Sequence, residues 1–587
     1  MSAQDAAIRI IEQTRSLLRS ERFLVVSTTP LNPDRVETLL TRFPQVGFIV
    51  TSDNAASNVQ DHSRLGRRLE PGTAHWQMPA GTFHDAVIVG RRSQVGIRDV
   101  KAALFSGVRR FIFADPIKQA VSSESIFVLG LRLVARRALD RSWWRRPKVR
   151  TESLQELFRF ADRANLAVRE RHTQNVLLVV ATMGPGGSER QVVNTALALA
   201  AEGRFRPVVV CTNLRSGTSE FYRPLLASAG VDVIDLQEFD FGRLPSKHAQ
   251  FVSACRARLI RSAFDISDDV TSLLAVFVNE QPAIVHSFID ETNIKAGVAA
   301  VLARIPRTVL AMRSVAPNNF ALDADLMRAG YEALLTRPEI LVCCNSKAGA
   351  ADYRQWLGKP DLPIAILENG IDLRQFSRPA GSNADGRAAF GIPSDAVVLG
   401  SIMRLTAEKQ PILWANVVVE ISRQMPDVHF VLVGDGPLKS DVMQILSRAR
   451  IDHRVHLLGQ VKDIPSVLSC LDLLVLTSRI EGLPNVLIEA QAMGVPVVTT
   501  PAGGAIEALA PGRTGLVAPD QTVTGVAQTC LRVLSDAQLR SQFAQAAPQY
   551  VRDRFSMDRM LHHTLQLYTN GRNVCLSHAA LVAASTS

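Results

Sequence analysis

The sequence predicts an α/β protein of doubly wound parallel sheets, and three observations carry that expectation. Short, nearly continuous apolar runs recur along the 587 residues with helix-length segments between them, the alternation expected of parallel strands buried on both faces. The pattern completes once before about residue 370 and repeats afterwards, so two such domains follow one another. A chain of this length also exceeds what one core can bury, which asks for two or three domains.

Composition is that of an ordinary globular protein, 47% hydrophobic and 21% charged. A formal net charge of +11 favours anionic partners but does not choose among nucleotide, nucleic acid and membrane surface. Cys211, Cys255, Cys343, Cys344, Cys470, Cys530 and Cys575 form no C-x-x-C pair and mostly lie in or beside apolar stretches. They read as reduced core thiols of a cytosolic chain. Residues 1–22 interrupt their apolar positions with charges and do not look like a signal peptide. No run approaches the ~18 apolar residues of a membrane span, so a soluble or peripheral protein is expected.

Taken in order, Phe23–Ser27, Val46–Thr51, Ala86–Gly90 and Arg110–Ala114 read as strands of a small α/β domain with a parallel sheet, residues 1–130. No glycine-rich nucleotide fingerprint follows them, and no function is read there. Residues 131–171 read as a basic helical linker. Its first part, LRLVARRALDRSWWRRPKVR, sets eight basic residues against one acid, Asp140, with Trp143 and Trp144 beside them. Three readings stand: a helix lying on an anionic membrane surface, a solvated interdomain helix, or a surface that greets a phosphate-bearing acceptor.

The first doubly wound domain, residues 172–370, opens with the strand Val176–Thr182 and the segment MGPGGSERQ. Gly184, Gly186 and Gly187 let backbone approach a ligand closely, and Ser188 is placed to cap the next helix. The spacing is not G-x-G-x-x-G, which argues against a dinucleotide site. Strands at Pro207–Thr212, Val231–Ile234, Ala283–Ser287, Thr308–Met312 and Ile340–Cys344 complete it. The second domain, residues 371–540, has strands at Val397–Met403, His429–Gly434, Val455–Leu458, Leu473–Leu476 and Val495–Thr499. Residues 541–587 read as helix, interrupted by Pro548, and a small-residue tail.

Between the last two strands, Pro484 sits where a first helical residue belongs, and the helix it opens stops near Gly494, a C′ glycine. Glu481 and Glu489 flank that helix N-terminus, whose free N–H groups near Asn485 and Val486 can hold a phosphate. Arg404 and Lys409 follow the strand ending at Met403. Cations at a strand's carboxyl end suit a diphosphate, Arg by paired hydrogen bonds and Lys as a point charge. Asp323-Ala324-Asp325 spells the D-x-D of metal-dependent transferases, but alternate helical positions point apart, so it reads as a solvated face.

Together these segments resemble glycosyltransferase family 4, retaining group 1 enzymes of GT-B architecture. The E-x7-E frame with its G-L-P-N-V-L-I-E-A core and G-V-P-V-V-T-T strand carries the resemblance, with G-S-I-M-R-L-T-A-E-K, the G-G-S-E segment and the junction L-E-N-G-I-D-L-R-Q-F. It implies two Rossmann-like domains and a nucleoside-diphosphate sugar as donor substrate, with no cofactor, bound metal or nucleic-acid partner. The acceptor would be a glycan or a polyprenyl- or lipid-linked sugar of polysaccharide or envelope biosynthesis, met in the cytoplasm at the inner face of the membrane. By the same resemblance Glu489 would accept hydrogen bonds from both ribose hydroxyls and Glu481 would face the transferred sugar near its reacting carbon. Arg404 and Lys409 would bind the diphosphate, while Gly186, Gly187, Gly434, Leu483, Asn485 and Val486, with Gly503-Gly504 and the pair Asn345-Ser346, would line the cleft. The last helix would cross back to the first domain.

One position departs from the family. Arg313 stands where many relatives carry a His that contacts the donor sugar, and an arginine cannot serve as a base near neutral pH. It would bind a phosphate or carboxylate of the acceptor or pair with Glu481. His286 is either the alternative imidazole or a buried structural residue. A GT-B epimerase or phosphorylase, and a non-catalytic sugar-nucleotide-binding scaffold, are the rival readings.

Overall fold

The computed structural model describes the backbones of five N-terminal strands and residues 151–164, 172–214, 220–261, 267–320, 324–377, 387–388 and 390–570. The basic stretch 131–150 with Trp143 and Trp144, Asp323, and the tail beyond residue 570 lie outside the described residues. The chain divides into two compact units, Met1–Lys148 and Val149–Ser587.

In the first unit β1 (Phe23–Ser27), β2 (Val46–Thr51), β3 (Asp85–Val89), β4 (Arg110–Asp115) and β5 (Ala120–Ser125) form one sheet in the order β2-β1-β3-β4-β5. The first four are parallel, and β5 runs antiparallel to β4 with Arg110 opposite Ser125. Sequence reading misses β5 because AVSSES carries three serines and no apolar run; an edge strand needs none.

The second unit holds two parallel sheets. One contains β6 (His172–Val180), β7 (Arg206–Cys211), β8 (Asp232–Asp235), β9 (Pro282–Phe288), β10 (Arg307–Met312), β11 (Ile340–Cys344) and β12 (Ile364–Ile366), ordered β12-β11-β10-β9-β6-β7-β8. The other contains β13 (Val398–Ile402), β14 (His429–Val433), β15 (Val455–Gly459), β16 (Leu473–Leu476), β17 (Val497–Thr499) and β18 (Gly515–Val517), ordered β15-β14-β13-β16-β17-β18. Unanticipated β12 and β18 have three residues each, too few for an apolar run to register. Chain direction across each sheet reverses once, between β6 and β9 and between β13 and β16. Ligands of doubly wound sheets bind outside the carboxyl ends of strands at such points. The loops to inspect are therefore those leaving β6, β9, β13 and β16.

One helix corrects the domain boundaries. α1 (Thr151–Arg163) falls within the expected linker 131–171, yet Leu154, Leu157, Phe158 and Ala161 are buried in the first domain's core. Their i, i+3, i+4, i+7 spacing makes one apolar stripe. Arg304 ties the end of α1 down by donating to the carbonyls of Ala161, Asp162 and Ala164. The first Rossmann-like domain thus begins by Thr151, not at residue 172.

At the other end, α7 (Ala537–Phe555) runs through Pro548 without breaking, and α8 (Met557–Asn570) returns to the first domain. Met560, Leu567 and Tyr568 of α8 are buried there with Val176, Ile284 and Phe288. The two crossings between domains lie side by side: Ile371 N–H donates to Phe555 O at 2.9 Å, and Ile371 bridges to Ser556. In this first domain α2 (Gly187–Glu202), α3 (Asp290–Leu302), α4 (Ala324–Leu334) and α5 (Lys347–Leu357) flank the sheet; in the second, α6 (Asn485–Ala492) follows the β16 loop.

Candidate active site

The two loops at the β13/β16 reversal are braced against each other. Thr477, just past β16, donates its hydroxyl to Lys409 O at 3.1 Å, and Arg479 N–H donates to Glu408 O at 2.8 Å. This brings Lys409 Nζ to 2.6 Å from Glu481, which also accepts the Ser478 hydroxyl at 2.5 Å. Arg404, largely exposed, lies 3.3 Å from Glu408. Gly434 holds φ at +130°, and a Cβ there would collide with Met403 O, so the turn after β14 lies flat on the strand end that delivers Arg404.

Pro484 is the N-cap of α6, in extended geometry, so the helix starts one residue later than its sequence suggests. As first-turn residues, Asn485 and Val486 have backbone N–H groups without intrahelical partners. Leu483, whose side chain packs in the second domain's core, offers its carbonyl to Asn369 Nδ2 at 2.9 Å. Gly494 takes φ +69° just beyond the helix.

Glu489 is 4% exposed, and its charged partner is Arg190 of α2, across the interdomain cleft. Burial pushes the Glu489 carboxyl up, and the Arg190 guanidinium opposes that. The same face of α2 makes further links. Asn485 Nδ2 donates to Gly187 O at 3.2 Å, and the Gln191 side chain brackets Gly370, donating to its oxygen at 3.0 Å and accepting from its N–H at 2.9 Å. Gly186 is the N-cap of α2; Ser188 falls inside the first turn and is not the cap that sequence reading expected.

Arg313 leaves β10 and donates to Leu367 O at 3.3 Å and to Asn369 Oδ1. Of the two roles open to Arg313, pairing with Glu481 does not occur, since Lys409 takes that carboxylate. His286 is 0% exposed, shares a 2.8 Å hydrogen bond with the Tyr568 hydroxyl and stacks on Phe288. Burial, aided by the charge of Arg313, pushes its pKa down to about 3, so it stays neutral inside the first domain. Asn345 Nδ2 holds Arg313 O at 3.0 Å, and Ser346 caps α5 by accepting from Gly349 N–H. Asp325 is an exposed residue of α4. Among the described residues no group of three or more His, Cys, Asp or Glu side chains is placed to hold a metal ion.

Sequence reading missed four residues that shape this cleft. Arg190 and Gln191 lie directly after the glycine loop it had singled out. Asn369 looked like a turn former, but it reaches Arg313, Leu483 and Asn485 together. Glu507 of the second domain accepts from the Lys347 and Ala348 N–H groups at the start of α5, at 2.9 and 2.7 Å. Only the three-dimensional return of one domain onto the other exposes such roles.

Two Rossmann-like domains facing each other across loops at their strand reversals, joined by a returning C-terminal helix, define the GT-B class of glycosyltransferases. Residues 395–536 match the family model for group 1 glycosyl transferases. That match falls within the second Rossmann-like domain, and it is to group 1 glycosyltransferases that the chain is similar. It is 24% identical over 416 residues to the Vi polysaccharide biosynthesis protein VipC/TviE of Salmonella typhi, covering 65% of this chain and 69% of that one. It is 27% identical over 310 residues to a UDP-Gal:alpha-D-GlcNAc-diphosphoundecaprenol alpha-1,3-galactosyltransferase of Escherichia coli, covering 48% and 78%. Among solved structures, Anabaena Alr3699/HepE in complex with UDP and glucose aligns with a TM-score of 0.54 at 21% identity, over 67% of this chain and 99% of that one. Sucrose-phosphate synthase from Thermosynechococcus elongatus aligns at 0.53 and 19%, over 68% and 98%. At these identities the structural likeness establishes the fold.

Proposed function

We propose that this glycosyltransferase moves a hexosyl group from a nucleoside-diphosphate sugar to a glycan or polyprenyl-linked acceptor, with retention of anomeric configuration and without a bound metal, in polysaccharide or cell-envelope biosynthesis. The observation that carries this reading is the convergence, at one strand reversal, of Arg404, Lys409, Glu481 and the N-terminus of α6. Breaking the bond from the sugar's anomeric carbon to the diphosphate makes an anionic leaving group. Arg404, Lys409 and the Asn485 and Val486 N–H groups would stabilise it, about 3 kcal/mol for one good preorganised donor. A leaving phosphate oxygen would take the proton of the acceptor hydroxyl as the acceptor oxygen bonds to the anomeric carbon on the face that the phosphate leaves. Glu481 would orient the sugar hydroxyls, and the ribose hydroxyls would replace Arg190 at Glu489. The relatives named above motivate the acceptor class.

The test is a thermal-shift and turnover screen against UDP, GDP and their hexose conjugates, beside Glu489→Ala. Nucleotide at a hundredfold excess over Kd should stabilise the wild type by about 2.7 kcal/mol. The variant should lose that gain, chelators should leave turnover intact, and product NMR should show retention. Stabilisation by neither nucleotide would overturn the donor reading. The 131–150 stretch, read from its sequence, would hold the enzyme at an anionic membrane surface. Vesicle co-sedimentation unchanged after its arginines are neutralised would remove that part.

A further inference from the structure

Among the described residues, Arg190, Arg313, Arg404, Lys409 and Arg479 bring cationic side chains to the cleft. Three are neutralised by carboxylates, Arg190 by Glu489, Arg404 by Glu408 and Lys409 by Glu481. Arg479 is exposed to water and donates to Asn319 O at 2.9 Å. Arg313 differs from all four. It is half-buried, and among the described residues no carboxylate pairs with it; both of its acceptors, Leu367 O and Asn369 Oδ1, are neutral. Burial is the main influence on its pKa, pulling it below the ordinary arginine range. Two of its five N–H donors are used by these bonds, so the fork retains capacity for a bidentate anion.

Its place is fixed from both domains. Asn345 holds its carbonyl at 3.0 Å, and Gly482, the residue after Glu481, packs so closely that a Cβ there would come within 3.1 Å of that same carbonyl. The guanidinium lies 5.9 Å from the Phe288 ring centroid. Asn369, its acceptor, donates onward to Leu483 O and to Asn485 Oδ1 at the start of α6. Arg313 therefore sits beside the loop that presents Glu481, on the first domain's side of the cleft.

The geometry points to Arg313 as a specificity-determining residue that recognises an anionic oxygen group, a carboxylate or phosphate, carried by the substrate next to the reacting sugar. This rests on the donor-site reading above, which places the nucleotide diphosphate at Arg404, Lys409 and α6 and so leaves Arg313 to a different negative group. Two sources supply that chemistry: an acidic, hexuronate-type sugar being transferred, or a phosphate or carboxylate on the acceptor.

The experiment uses the full chain and Arg313→Met, with Arg313→Lys as a charge-keeping variant, and measures binding in two arms by calorimetry. UDP and GDP serve as nucleotide controls. The donor arm compares UDP-glucuronate with UDP-glucose and GDP-mannuronate with GDP-mannose. The acceptor arm, at saturating nucleotide, compares glucose 1-phosphate and glucuronate with methyl glucoside. In one arm the charged ligand should bind the wild type about tenfold more tightly than its neutral counterpart, the scale of a charge-assisted hydrogen bond. That preference should vanish in Arg313→Met and persist in part in Arg313→Lys, with nucleotide affinity unchanged. A preference in the donor arm assigns the charge to the transferred sugar, and one in the acceptor arm assigns it to the acceptor. Equal binding of charged and neutral ligands in both arms, or equal losses for both in Arg313→Met, would reduce Arg313 to an anchor for the Leu367–Gly370 junction and overturn the proposal. Failure of the wild type to bind either nucleotide would overturn the donor reading and this inference with it.

Discussion

At the scale of single residues, the first domain keeps a buried acid directly behind its cleft. Asp290 opens α3 after Ile289, a β-branched residue held at φ +74°, a strained conformation fixed by Ile289 N–H donating to Ala311 O at 3.1 Å. The Asp290 carboxylate accepts the hydroxyls of Tyr331 and Tyr353 at 2.8 and 2.6 Å. Burial outweighs those two hydrogen bonds and pushes its pKa from 3.8 up to about 6. The folded state thus holds this proton more tightly than the unfolded chain does. Its contribution is fully present below about pH 4 and is lost as pH rises through about 6. That pKa gap corresponds to about 3 kcal/mol. Asp290→Asn retains an acceptor oxygen for both tyrosines and cannot ionise. Urea unfolding should show the variant gaining on the wild type between pH 4 and pH 7 by up to about that amount. A difference independent of pH would show that the Asp290 carboxyl titrates alike in the folded and unfolded chains, so that burial does not raise its pKa.

At the scale of elements, legibility followed the length and continuity of the pattern. β13, β14 and β16 declare themselves as apolar runs, and the helix between β16 and β17 is announced by Pro484 and Gly494. The stripe of α1 was equally present in the sequence, but the neighbouring run of arginines and tryptophans drew the segment into a linker. Pairings across the cleft had no such signature, because Arg190 and Glu489 are 299 positions apart and nothing in either local pattern points to the other. The turn after β14 is the element whose role depends most on one atom. In Gly434→Ala, a φ of +130° becomes strained and the new Cβ meets Met403 O, so the turn must lift from the end of β13. Backbone strain of this kind costs about 1–3 kcal/mol. The expected result is a folded protein whose nucleotide-induced thermal shift is strongly reduced, because Arg404 and the loop to Lys409 lose their seat. A shift equal to the wild type's would separate the turn from donor binding.

At the scale of the whole molecule, the last helix makes the two Rossmann-like domains one unit. α8 leaves the second domain at the Ile371–Ser556 crossing and covers an apolar face of the first with Met560, Leu567 and Tyr568. Its Tyr568 hydroxyl supplies the hydrogen bond of His286 Nδ1, while Nε2 of that ring has no partner among the described residues. An imidazole so deep in the first domain is held neutral by burial and the charge of Arg313, and its Nδ1 is satisfied by a residue of α8. Tyr568→Phe removes that hydroxyl and leaves Nδ1 buried without a partner, at a cost of about 1–3 kcal/mol. For domains of this size each kcal/mol lowers Tm by about 2–4 °C. The loss should fall on the first domain, while whichever of UDP and GDP stabilises the wild type should still stabilise the second domain of the variant. Were α8 only an appended tail, neither number would move. A reduced Tm with an intact nucleotide response would instead show that the first domain depends for its stability on a helix delivered from beyond the second.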